Sequence, residues 1–258
     1  MADHHQSEGS SEATATGYYV YGVIRAEPDR VPADLVGVDG APVHTVEHGD
    51  IAAVVGVISL DRPPGRRADL VAHSTVVDTL AATGSVVPVQ FGSVMADSQS
   101  VVLDLLAPNE EYFASLLEEL SGRAQFNLRA TYHEQVVLAE VVSADPEIAE
   151  LSRHTKALPE DVAYGDRVRL GELVARALDD KRAFDADVLL DAIEPYVAAH
   201  AVRAGGGVDH LLDVALLVDD DRRSAFEEQL EGLAESVHER VRLRLVGPVA
   251  PYDFVGGA

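Results

Sequence analysis

Cysteine is absent from the 258 residues, which removes disulfides, thiolate metal sites and cysteine nucleophiles together. Basic residues are scarce: Lys and Arg number 20 against 44 Asp and Glu, a formal net charge of −24, and only Lys156 and Lys181 are lysines. A phosphate backbone is gripped by clustered cations, so nucleic acid is a poor partner for this chain. Long apolar runs are missing too. No stretch reaches the roughly 18–20 residues that a membrane-spanning helix requires. What is present is an apolar fraction of 47%, enough for a packed core and too high for a chain that stays unfolded. The length suits one large domain or two of ordinary size. Met1 to Thr16 is polar and acidic, with neither a basic start nor an apolar stretch, so it does not read as a signal peptide. The expectation is a disordered tail over 1–16 and a cytoplasmic protein.

Order begins at Gly17. Tyr18 to Ile24 is aromatic and β-branched, a strand signal. Glu27 to Pro42 is broken by proline and glycine and reads as loop. Val43–Glu47 and Ile51–Ile58, separated by His48, Gly49 and Asp50, suggest a hairpin. Arg66 to Thr83 changes period, with Leu70, His73, Val76, Val77 and Leu80 on one helical face and Gly84 as a stop. Val86 to Val94 reads as a short strand leaving through a Gly turn, and Pro88 puts it at a sheet edge or a strand end. Ser98 to Ala107 is a helix candidate that Pro108 interrupts, and Phe113, Leu116, Leu117 and Leu120 mark another helix.

Beyond Gly122, Phe126 to Val142 is strand-like, with Phe126, Leu128, Ala130 and Tyr132 on one side. Pro146 to Gly207 is mainly helical. Pro195 kinks it or starts a new helix, and Gly205 to Gly207 stop it. Val208 to Val218 is a nearly continuous apolar run, as in a strand covered on both faces. Asp219, Asp220 and Asp221 suit the start of a helix that buries Phe226, Leu230, Leu233 and Val237. Val241, Leu243 and Leu245 alternate with arginines in a last, half-buried strand. Two strand–helix–strand units on one sheet define a ferredoxin-like domain with inserted helices. The expected fold is therefore α+β with two domains: a mixed N-terminal domain over 17–122, a ferredoxin-like domain over 123–246, and a tail over 247–258 that packs back on the body.

The motifs of catalysis do not occur. The chain has no phosphate loop ending in lysine, no G-x-S-x-G elbow and no H-E-x-x-H pair. Glycines 205–207 read as a stop before a strand. His44 and His48 share a strand face near Asp50, and polar hairpin residues explain them better than a metal site does. His73, on an apolar helix face, reads as a hydrogen-bonded packing histidine rather than a base. No catalytic, cofactor-binding or metal-binding residue is assigned, and no cofactor is expected.

Arg240, Arg242 and Arg244 form a local cationic row in a strongly acidic chain. Such a row is either a solvated strand face or a docking edge for an acidic partner. In the tail, Gly247, Pro248 and Pro251 exclude a helix or a central strand, while Tyr252 and Phe254 supply apolar anchors, for packing or for a partner. Arg240, Arg242, Arg244, Tyr252 and Phe254 are thus the candidate partner-binding residues.

Several segments, in order, resemble the GvpF/GvpL family of gas vesicle proteins. Tyr18 to Ile24 is like the family's opening strand. His73 in its helix, followed by Val86 to Val94, is similar to an "LPxRFGT" stretch, with Gln90 at the basic position. Gly122 to Leu128 resembles "GKxExxxK", with Gln125 at the acidic position. Val214 to Asp219, Phe226, and Gly247 to Val255 resemble the family's ending "GPWPPYxF", with Val249 and Ala250 replacing the Trp and one Pro. The resemblance spans 17–255. It implies a non-enzymatic two-domain α+β protein with a ferredoxin-like C-terminal domain, acting in gas vesicle formation as a minor component or accessory factor. The implied partners are the small hydrophobic shell protein and other accessory proteins. The alternative is a small-molecule-binding or regulatory protein of ferredoxin-like type.

Overall fold

A computed structural model describes residues 15–159 and 161–256. The tail expected over 1–16 lies outside the described residues up to position 14, and Thr16 already opens the first strand. The chain divides into two units, Met1–Ser121 with Ala250–Ala258, and Gly122–Val249.

In the first unit, β1 (Thr16–Arg25), β2 (Val43–His48), β3 (Ile51–Ser59), β4 (Val87–Pro88) and β5 (Val94–Met95) form an antiparallel sheet. Its order is β2-β3-β1-β4, with β5 also on β1. Alternation in β1 is interrupted by a bulge between Val20 and Gly22. Tyr19, Tyr21 and Ile24 join one core cluster with Ala52, Val54 and Ile58 of β3 and with Val76, Val77 and Leu80 of α1 (Arg67–Thr83). Residues of the alternate set, Val20, Val23, Ile51, Ala53 and Val55, are fully buried as well.

The buried stripe of α1 differs from the expected one. Leu70 is exposed, and its place is taken by Asp69. The Asp69 carboxylate accepts the backbone N–H groups of Gly65 and Arg66 at 3.0 and 2.9 Å and pairs with Arg62 at 3.0 Å. Helix N-termini carry free N–H donors, so a carboxylate there is more useful than another leucine.

The strand expected over Val86 to Val94 is two short strands separated by a turn at Gln90–Ser93, with Gly92 at φ +92°. Pro88 does lie in an edge strand. The next helix starts as α2 (Ser98–Ser100), capped by Asp97, then widens to a π turn over Val101–Leu106 and tightens to a 3-10 turn containing Pro108. Proline has no N–H for an α ladder, and the irregular geometry sits where that donor is missing. Helix α3 (Glu110–Glu119) follows and buries Phe113, Leu116 and Leu117.

In the second unit the strands are β6 (Arg123–Tyr132), β7 (Ala199–Val202), β8 (His210–Asp219) and β9 (Val241–Val249). The sheet is antiparallel with order β7-β8-β6-β9. Helices α4 (Glu134–Ala144), α5 (Pro146–Ala157) and α6 (Tyr164–Ile193) connect β6 to β7, and α7 (Arg223–Val237) connects β8 to β9. This is the ferredoxin-like β-α-β-β-α-β order with additional helices in the first crossover. The core joins Phe126, Leu128, Ala130 and Tyr132 to Val137, Ile148, Leu189, Ile193 and Phe226.

Three boundaries differ from the expected ones. The segment Phe126 to Val142 is strand only to Tyr132; Val137 and Val141, four apart, face the core of α4 instead. No Gly or Pro marks the change, which falls at the polar residues His133, Glu134 and Gln135. Helix does not continue to Gly207, because Ala199–Val202 pairs with β8. Strand β9 continues through Val249, which pairs with Gln125. The returning segment therefore begins at Ala250 rather than Gly247, and it belongs to the first unit.

Tyr21 sets a further demand on the first unit. Its hydroxyl accepts the Val38 N–H at 2.8 Å, and a Cβ on Gly37 would lie 1.9 Å from that oxygen. The substitution Gly37→Ala is expected to destabilise the protein by about 1–3 kcal/mol through overpacking. Gly65→Ala, which meets open space, is the control expected to leave the thermal midpoint unchanged; equal midpoints for both variants contradict the packing account.

Candidate interaction surfaces

The returning C-terminal segment is fixed by polar contacts. The Ala250 N–H donates to Asp78 at 3.1 Å, and the Tyr112 hydroxyl donates to the Gly256 carbonyl at 3.1 Å. Between them, Tyr252 reaches His73. The Tyr252 hydroxyl lies 2.7 Å from Nε2 of His73, and Nδ1 of the same ring lies 2.9 Å from the Tyr19 hydroxyl. Tyr19 also accepts the Gly92 N–H at 3.0 Å. Tyr21 stacks on the imidazole at 5.7 Å and Phe91 meets it edge-on at 5.6 Å.

Burial decides the protonation of this cluster. His73 is 2% exposed, and desolvation holds its pKa down to about 4. Burial likewise pushes the Tyr19 phenol up to about 12 and raises that of Tyr252, with nearby Asp78 adding to the effect. Both ring nitrogens of His73 thus have protein partners, and the ring is neutral. The arrangement closes a polypeptide segment onto a helix. Tyr252 keeps part of its ring at the surface and Phe254 is half-buried.

The three arginines expected in one row have different surroundings. Arg240, just before β9, is bidentate on Glu140 at 2.7 and 3.0 Å and reaches Asp185 at 3.0 Å. Lys181 joins the same two carboxylates, and the Tyr132 hydroxyl donates to Asp185 at 2.8 Å. The Arg240 guanidinium lowers the pKa of Glu140. Arg242 and Arg244 are exposed and make no hydrogen bond or ion pair among the described residues. They lie on β9, an edge strand of the sheet as described.

Sequence reasoning missed the residues beside Arg244. A cavity of about 240 Å³ is lined by Asn127, Leu128, Arg129, Arg203, Asp213, Arg244 and Val246. The signal was available in β6: once Phe126, Leu128 and Ala130 take the core face, Asn127 and Arg129 must take the other. His44 lies near the Tyr18 ring, 6.0 Å between centroids, and His48 near Glu110 at 3.5 Å. Among the described residues no group of three or more His, Asp or Glu is placed to hold a metal ion. No helix among them is long and apolar enough to cross a membrane.

The class is a two-unit α+β protein with two antiparallel sheets, the second unit of ferredoxin-like order. Comparison with known proteins gives the family. A model of the family "Gas vesicle synthesis protein GvpL/GvpF" matches residues 17–256. Gas vesicle protein F of Streptomyces sp. (strain CB03234) is 32% identical over 240 residues, 92% of this chain and 98% of that protein. Gas vesicle protein L of the same organism is 29% identical and covers 92% of each chain. The fold is similar to that of the crystal structure of GvpF from Anabaena sp. PCC7120, with a TM-score of 0.82 at 20% identity over 94% of this chain and 99% of that one. It is similar also to GvpF from Microcystis aeruginosa, with a TM-score of 0.76 at 20% identity over 93% and 99%. The chain belongs to the GvpL/GvpF family of gas vesicle synthesis proteins, a non-enzymatic class.

The buried imidazole makes stability depend on pH. In an unfolded chain His73 protonates near its ordinary value of 6.5, and in the fold only near 4. Between these values the unfolded state binds more protons. The contribution is therefore complete above about pH 6.5 and is lost as pH falls towards 4. Its full size is about 3 kcal/mol at most. In urea titrations the stability advantage of the parent over His73→Gln is expected to shrink by about 2–3 kcal/mol between pH 7 and pH 4.5; an advantage independent of pH contradicts the neutral-imidazole assignment.

Proposed function

We propose that this protein is a non-enzymatic accessory factor that binds the small hydrophobic shell protein, and other accessory proteins, while gas vesicles form. The observation that carries the reading is the family match along residues 17–256. The physics of the task supports it. A subunit that builds an apolar gas-facing wall exposes apolar surface before assembly, which is an aggregation hazard. A partner with a net charge of −24 keeps such a complex dispersed by repulsion. The work is placed in the cytoplasm, at the forming vesicle.

Within this reading β9 is the docking edge. It offers a strand edge, a recognised mode of polypeptide capture, with Arg242 and Arg244 exposed on it. Arg240 contributes by anchoring the start of β9 through Glu140 and Asp185 rather than by touching the partner. Tyr252 and Phe254 present their partly exposed rings as a second, apolar contact.

Shell protein co-expressed with this chain is expected to co-purify with it. The double charge reversal Arg242→Glu, Arg244→Glu is expected to cut recovery by about tenfold or more, through like-charge repulsion at the contact. Undiminished recovery removes β9 from the docking surface, and absence of co-purification from the parent protein refutes the binding role itself.

A further inference from the structure

Four residues stand in one row across the sheet of the second unit. Arg244 of β9 is paired with Arg129 of β6, Arg129 with Asp213 of β8, and Arg203, one residue past β7, donates its N–H to the Asp213 carbonyl. Residues paired in register share a face, so the row reads Arg, Arg, Asp, Arg. Like charges directly opposite on neighbouring strands are destabilising. Asp213 neutralises part of the row. Its Oδ2 accepts from Nε and Nη2 of Arg129 at 3.1 and 2.7 Å, and its Oδ1 from Nη1 of Arg203 at 3.4 Å. Arg244 is left with no counter-charge.

Asn127 lies two residues along β6 from Arg129, on the same face. Its Oδ1 accepts from Nη2 of Arg203 and from Nε2 of Gln125. The side-chain acceptors of the cavity wall, Asn127 Oδ1 and the two oxygens of Asp213, are therefore all engaged. The groups left without a protein partner are donors: the Arg244 guanidinium, the Asn127 Nδ2 amide and Nη1 of Arg129. A wall with only donors to offer takes an anion, and guanidinium groups favour a planar carboxylate. The volume of about 240 Å³ is below the roughly 300–1,000 Å³ of drug-sized ligand sites and suits one side chain.

We propose that this cavity receives the carboxylate of an Asp or Glu in an acidic segment of a partner polypeptide, with Arg244 as its principal contact. The position of the cavity names the occupant. It opens beside edge strand β9, where an extended segment presents alternate side chains to one face. Arg242, two residues from Arg244, then meets the next alternate carboxylate. Arg244, which no carboxylate among the described residues meets, makes the wall locally cationic in a chain that is otherwise strongly acidic. The proposal rests on the reading of β9 as a docking edge and adds the chemistry of what docks.

The test is fluorescence anisotropy of a labelled hexaglutamate peptide with the full chain, at about 0.15 M salt, where the screening length is about 8 Å and distant carboxylates count little. Saturable binding is expected, weakened about tenfold or more by Arg244→Gln, with hexaglutamine not bound. Because Arg244 faces Arg129, Arg244→Gln is expected to hold or raise the thermal midpoint, which separates lost binding from lost folding. Val246→Glu, which puts a carboxylate at the cavity wall, is expected to weaken binding as well. Peptide binding unchanged in Arg244→Gln overturns the proposal, as does equal binding of hexaglutamine. Tighter binding of inorganic phosphate than of the peptide assigns the cavity to phosphate and also overturns it. The two readings come apart by comparison with shell protein recovery. If Arg244→Gln abolishes peptide binding and recovery is intact, the cavity stands and the docking edge falls. If recovery is lost while the parent never binds the peptide, the cavity falls.

Discussion

A neutral imidazole held between two phenols closes the first unit onto its own C-terminal segment. Tyr19 comes from the first strand, His73 from the first helix and Tyr252 from the last described residues, so one hydrogen-bonded line joins the two ends of the described chain. Each member requires the others. Tyr19 and Tyr21, two apart in β1, share one face and one cluster, the bulge brings Ile24 to the same side, and the tyrosine rings make the ring-lined site in which the imidazole stays uncharged. A charged imidazole there loses solvation without a counter-ion in contact, which is why burial rather than a partner charge governs its titration. The second unit is thereby bracketed in sequence by segments of the first, an arrangement that makes the C-terminal residues part of the first unit's structure.

Electrostatics in the second unit separates anchoring from recognition. Arg240 and Lys181 are matched by Glu140 and Asp185, and Tyr132 donates to the same Asp185 Oδ2 that both cations meet. Such a network stabilises when complete and is costly when one member is removed. Arg244, four residues on, has no such match and stands opposite another arginine. Two chemically identical side chains in one strand region thus have unlike surroundings, and the unmatched one has its whole guanidinium to offer another molecule. A surface of this kind in a chain of −24 is directional: most of the molecule repels acidic segments, and one strand edge accepts them.

The fold was legible wherever period and punctuation agreed. The tyrosine-rich first strand, the hairpin across Gly49, and the alternation of Val241, Leu243 and Leu245 all read directly, and together they yield the two-sheet α+β architecture. Legibility failed where no Gly or Pro separates two structures, as from Phe126 to Val142, and where a strand is made by its neighbour, as for Ala199–Val202, whose composition carries no β signal without the register of β8. Asp69 in place of Leu70 was hidden for a related reason, since a capping carboxylate and a core leucine occupy the same turn. The cationic row at β9 was visible as alternation. Its division into one anchored and two exposed arginines was not, because Glu140 and Asp185 are far away in sequence and only folding brings them to Arg240. The cavity beside Arg244 needed the register of three strands, which no single segment encodes.

The most direct test of the account is hydrogen–deuterium exchange of the full chain with and without co-expressed shell protein. Binding at the proposed edge slows exchange across residues 241–246 and leaves α1 and the first sheet as they were. Exchange in β9 that is the same in both samples, or protection confined to the first unit, contradicts the claim that this protein acts through the cationic edge of its ferredoxin-like sheet.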